Sequence, residues 1–108
     1  MAEFDPETFE DKYEHYFPQL QRAYRQAFER MNDAYDSELI HAIDQGVLAE
    51  SEPFYEGEGQ FRVELPEDPA GRLSGTDLLV DEEKLEAVLE RYVEEIERQL
   101  REVFGLAE

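Results

Sequence analysis

Apolar residues recur three and four apart through the first third of the chain, at Phe9, Tyr13, Tyr16, Leu20, Ala23, Ala27, Met31 and Ala34. That spacing puts them on one face of a helix, and Tyr24, Phe28 and Tyr35 widen the stripe. Asp5-Pro6-Glu7-Thr8 supplies a start, with Asp5 as the cap, Pro6 suited to the first turn and Glu7 near the positive end of the dipole. Pro18 removes a backbone donor and disfavours helical backbone at Phe17, yet the stripe keeps its phase. The pattern therefore predicts either one helix kinked near Phe17 or two helices, the second opened by Pro18. Asp36-Ser37-Glu38 can cap a shorter segment carrying Leu39, Ile40, Ile43 and Val47, which Gly46 weakens or ends. The step from Ala27 to Met31 breaks a strict seven-residue repeat and favours globular packing over a coiled coil.

Between residues 50 and 80 the pattern changes to turns, marked by Pro53, Gly57, Gly59, Pro66, Pro69, Gly71 and Gly75. Within it Phe61, Val63 and Leu65 alternate with Arg62 and Glu64, a short half-buried strand near 60–65. Its first-choice partner is Leu78-Leu79-Val80, a strand near 77–80. The second choice is Ser51 to Tyr55, joined through Glu56-Gly57-Glu58-Gly59, with Pro53 confining it to a sheet edge. From 81 to 104 the helical period returns, with Asp81 as cap and a seam of Leu85, Leu89, Tyr92, Ile96, Leu100 and Val103. Glu94 with Arg98 and Glu97 with Arg101 are four-apart pairs, and Gly105 fits a left-handed stop that lets Leu106 fold back on Leu100.

The expected fold is mainly α (α+β), a single domain over 1–108. It has two long amphipathic helices, a shorter helical segment and a small two-stranded β element in the middle. Helix extends over about 5–49 and again over 81–104. The long helices must bury their seams on each other, which sets Arg22, Arg25 and Arg30 against the acidic C-terminal helix.

Composition sharpens this picture. Ten Lys and Arg stand against 29 Asp and Glu, a net charge of −19, but 12% of the residues are aromatic, which argues against a disordered acidic tail. The absence of cysteine excludes disulfides, thiolate zinc sites and a cysteine nucleophile. No apolar run approaches the ~20 residues that span a bilayer, and Met1-Ala2-Glu3-Phe4-Asp5 is unlike a secretory signal, so a cytoplasmic protein is expected. Lys12 and Lys84 are the only lysines. Acidic excess with lysine scarce resembles the surface of proteins from salt-accumulating halophiles, and concentrated K+ or Na+, where the Debye length falls to ~3 Å, is expected to stabilise the chain.

Three strings carry a family resemblance: Lys12-Tyr13-Glu14-His15-Tyr16-Phe17, the segment from Val47 to Gly57, and Phe61-Arg62-Val63-Glu64-Leu65-Pro66. Together they resemble a family of small acidic haloarchaeal proteins of unknown function. The resemblance implies no activity, ligand or cofactor.

Candidate chemistry is sparse. Glu38 and His41 are three apart, and Asp11 and His15 four apart, so each pair could lend ligands to a metal; with 29 carboxylates such pairs also arise by chance. No hydroxyl sits in a nucleophile elbow, and Glu56-Gly57-Glu58-Gly59 would repel phosphate, so neither a catalytic set nor a cofactor is nominated. Direct nucleic-acid binding is disfavoured by the charge, which leaves imitation of a DNA backbone toward a basic partner as an alternative. Phe54 and Tyr55, in a Pro- and Gly-flanked loop, are candidates for contacting a protein partner or for covering the helix core. Tyr13, Tyr16, Tyr24 and Tyr35 suit a core edge or a self-association face. The leading expectation is a non-enzymatic protein acting through a protein partner or homodimerisation. A small enzyme or metal protein using His41 or His15 is the alternative. The charge itself yields a test: dialysis into low salt should diminish the helical circular dichroism, and added KCl should restore it. An unchanged spectrum and melting temperature from low to multimolar salt would contradict the salt-adapted surface.

Overall fold

The computed structural model describes residues 4–68, 71 and 81–106. A 3-10 turn, Thr8–Asp11, leads into helix α1, Lys12–His15. Helix α2 is Phe17–Ala34 and α3 is Ser37–Gly46, followed by a 3-10 turn, Leu48–Glu50. Strands β1, Glu52–Gly57, and β2, Gln60–Glu64, form an antiparallel hairpin, and helix α4 is Glu82–Val103. The fold is α+β and mainly helical.

Pro18 divides the first helical run rather than kinking it. Tyr16, at φ −121° and ψ 16°, is the break, and Pro18 sits in the first turn of α2, where its missing N–H costs no helical bond. Asp5 caps the opening turn, its carboxylate accepting from the Glu7 N–H at 2.9 Å and from the Thr8 hydroxyl at 3.1 Å. Asp36 caps α3 by accepting from the Glu38 N–H at 3.1 Å. Asp81 holds the same position on α4 but takes no side-chain capping bond. At the far end Gly105 adopts φ +73°, so that the Gly105 and Leu106 N–H groups reach back to the Glu102 and Arg101 carbonyls.

Helices α2 and α4 run antiparallel, with Ala34 beside Arg91 and Arg22 beside Glu102. Ala23 and Ala27, fully buried, let the backbones approach, and Tyr92, Ile96 and Leu100 fill the opposing seam. Leu39, Ile40 and Ile43 of α3 and Val47 and Leu48 beyond it join the same core. Truncating a fully buried residue such as Ile96 to Ala costs about 2–5 kcal/mol in such cores.

The strand pairing seen is the second-choice one. The strand at 60–64 pairs with Glu52–Gly57, while the stretch near 77–80 lies outside the described residues. The turn explains the choice. Glu58 and Gly59 both have positive φ, 55° and 76°, which matches the right-handed twist of a two-residue hairpin. Pro53 lies opposite Val63, and the Val63 N–H points away from β1 to donate to the Glu97 carboxylate of α4 at 3.1 Å. Pro53 therefore removes no ladder bond, and α4 covers the outer edge of β2.

That use of Glu97 also alters the expected ion pairs on α4. Arg98 pairs with Glu95 at 2.9 Å and Glu102 at 3.5 Å, not with Glu94, because Glu95 is drawn into the α2–α4 groove, where Gln99 also donates to it at 2.7 Å. Arg101 reaches Gln60 of β2 at 3.4 Å. Arg30 does face α4, its Nε 3.9 Å from Glu95.

Asp44 on α3 is a half-buried carboxylate. Burial pushes its pKa above the usual carboxylate range, and His41 one turn back pulls partly the other way. At neutral pH both the folded and the unfolded chain carry the charge, so the folded state bears the full desolvation penalty. Acidification through the folded pKa relieves it. Asp44→Asn should therefore raise the urea midpoint at pH 7, with the gain vanishing below pH ~4; equal gains at both pH values would show that charge is not the cause.

Candidate functional site

The break at Tyr16 turns α1 away from α2, and the surface formed where both meet β1 concentrates the chain's unusual side chains. Of the two lysines, Lys84 is exposed and Lys12 is buried at 4% exposure. The Lys12 ammonium donates to Glu52 at 2.8 Å and lies 5.4, 5.1 and 4.9 Å from the ring centres of Phe9, Tyr13 and Phe54. Three ring faces and a carboxylate thus replace its water, an arrangement that favours a cation. Phe54 receives a second cation, the guanidinium of cross-strand Arg62 at 5.0 Å. Arg62 also bonds to Glu56 and Glu64. Glu52 and Glu64 face each other across the hairpin, a repulsive pair that is relieved because each carboxylate has its own cation.

Two hollows adjoin this centre. One, of about 370 Å³, is lined by Pro6, Phe9, Glu10, Phe54 and Tyr55 together with the ion pair. The other, of about 210 Å³, is lined by Tyr13, Phe17, Leu20, Tyr24, Leu48 and Pro53, and no lining residue is charged. Tyr13 and Phe17 are 54% and 47% exposed beside it. At its base the Ser51 hydroxyl donates to the Leu48 carbonyl at 2.7 Å, which leaves the Tyr24 hydroxyl to donate to Ser51 at 3.1 Å. Burial pushes the Tyr24 pKa up to about 12, with the Ser51 bond acting in the opposite direction, so the phenol stays neutral. Burial, and then the charge of Glu52, raises Tyr13 as well. The hollow is therefore lined by neutral, largely aromatic and apolar side chains.

The residues singled out from sequence fall in three places. Phe54 belongs to this centre. Tyr55 borders the 370 Å³ hollow, but its ring packs on Phe4 and Phe61 at 4.8 and 5.2 Å and its hydroxyl accepts from the Gly59 N–H at 2.9 Å. Asp11 and His15 are exposed on the opening turns. His41, with Glu38 exposed nearby on α3, has its Nδ1 2.9 Å from the Ser37 carbonyl oxygen and its ring edge-on to Phe28 at 4.9 Å. Among the described residues no group of three or more His, Cys, Asp and Glu is placed to hold a metal ion, and no helix is long and apolar enough to cross a membrane. Sequence reasoning missed Lys12. The available signal was a lone lysine set inside an aromatic stripe, between Phe9 and Tyr13.

These 108 residues match one known family along almost their whole length. The chain belongs to DUF5783. The family is one of unknown function, and its model matches residues 1–107. Comparison with curated proteins and with solved structures gave no match.

The burial of Lys12 predicts two different costs. Lys12→Ala removes both the stem and the ammonium and should lower stability by about 1–3 kcal/mol. Lys12→Met keeps the stem packing and should lose less, as read from urea midpoints. Equal losses in the two variants would show that the stem contributes nothing.

Proposed function

We propose that the protein works through protein–protein contact without catalysis, as a salt-adapted cytoplasmic protein that self-associates through the Tyr13–Phe17 face. One observation carries this reading: two large, half-exposed rings stand together on a hollow whose lining holds no charged residue, in a chain of which 36% is charged. For two copies of net charge −19, this is a surface where no carboxylate need be buried against another. The phenols of Tyr13 and Tyr24 suit such an edge, apolar across the ring and able to hydrogen-bond at the tip. Concentrated K+ or Na+ screens the remaining repulsion to within ~3 Å and lets the apolar contact dominate. Phe54 borders the same region and would extend the contact.

Sedimentation velocity in concentrated KCl tests this. The wild-type chain should run as a dimer, and Phe17→Ser combined with Tyr13→Ser should run as a monomer with unchanged circular dichroism. A wild-type monomer across the accessible concentration range would overturn self-association. A dimer that both substitutions leave intact would move the contact to another face.

A further inference from the structure

At the opposite end of α2 a hollow of about 450 Å³ opens between its last turns and the middle of α4. We propose that this hollow binds a small phosphate monoester carrying a planar ring, with Arg30, Arg91 and Arg98 holding the phosphate and Tyr35 stacking on the ring.

The charge distribution is the first argument. The chain has eight arginines against 29 acidic residues, yet three of the eight line this one hollow, with Glu94 and Glu95 beside them and Glu102 3.5 Å from Arg98. Glu95 is already engaged, accepting from Arg98 and Gln99 at 2.9 and 2.7 Å. Arg30 reaches it only at 3.9 Å and is 61% exposed along its side chain. Arg91 has no ionic partner among the described residues. Among the described residues Arg30 and Arg91 thus keep guanidinium donors that no carboxylate holds at hydrogen-bond distance, and such planar donors match phosphate oxygens.

Shape and surroundings supply the second. Met31 and Ala34 give the hollow an apolar floor, and Tyr35, the third large half-exposed aromatic of the described residues, stands at its wall. The volume lies within the ~300–1,000 Å³ of small-molecule sites. The overall charge of −19 does not forbid an anion here. In 1 M KCl the Debye length is ~3 Å, so only the groups in contact with the ligand act on it. This site lies apart from the Tyr13–Phe17 face and does not depend on self-association.

The test is calorimetric titration of the full chain in molar KCl with adenosine 5′-monophosphate, inorganic phosphate and adenosine as probes. Adenosine monophosphate should bind in the sub-millimolar range, phosphate more weakly, and adenosine not measurably. Arg91→Gln, at an exposed residue with no ionic partner among the described residues, should weaken monophosphate binding at least tenfold with unchanged circular dichroism. Glu94→Gln should strengthen it by removing the facing carboxylate, and Tyr35→Leu should reduce it to the level of phosphate. No saturable binding at millimolar monophosphate, adenosine binding as tightly as the monophosphate, or full affinity in Arg91→Gln would each overturn the assignment.

Discussion

Six aromatic rings hold the parts of this molecule in register. Phe4 stands among Phe9, Tyr16, Tyr55, Phe61 and Phe104, with ring centres at 5.4, 5.9, 4.8, 5.5 and 4.9 Å. Those partners come from the opening turn, the break before α2, each strand of the hairpin and the end of α4. A two-stranded hairpin is marginal alone in water, so β1 and β2 depend on this cluster and on Glu97 for their position. The Tyr16 hydroxyl extends the clamp by accepting from the Asp5 N–H at 3.0 Å. Each well-set ring pair adds about 0.5–1.5 kcal/mol beyond area burial. Because the cluster fixes α1 against β1, it also sets the distance from Lys12 to Glu52 and Phe54.

Local signals were legible in the sequence wherever a residue acts on its own helix. Pro18, Asp36 and Gly105 mark a start, a cap and a stop because each works on backbone groups within a turn of itself. The seams of α2 and α4 follow from period alone. Pairing over distance was harder. The pairing of Ser51–Tyr55 with the strand at 60–64 turns on the backbone at Glu58 and Gly59, where a non-glycine residue adopts positive φ. The exchange of Glu94 for Glu95 as the partner of Arg98 has a similar origin. On an isolated helix the four-apart pair is favoured, and it was a contact from α2 that decided between them.

The candidate centre was the least legible part, for a physical reason. Lys12 and Glu52 are forty residues apart and meet only because the aromatic cluster closes the chain between them. Phe54 and Tyr55 looked equivalent as neighbouring aromatics in one loop. A strand alternates its faces, and so one ring enters the cluster while the other meets two cations. The tyrosines of the first helix separate by the same logic. Tyr16 is buried at the helix break, Tyr24 is held by Ser51, and Tyr13 keeps most of one face in water.

The scarce cations of this chain do little to neutralise its surface evenly. Lys12 and Arg62 are spent on Phe54 and the hairpin carboxylates, while Arg30, Arg91 and Arg98 gather in one groove, so the outward faces of the helices keep their excess of Asp and Glu. On the proposed readings salt would act differently at the two ends of α2. Screening would remove the repulsion between copies without weakening apolar burial at Tyr13 and Phe17, so the proposed contact there would gain from concentrated salt. At the arginine hollow the same screening erases attraction at long range and leaves only groups in direct contact. What would survive at that end is geometry, the planar donors of the guanidinium groups beside a ring, and the proposed site would select by shape and charge together.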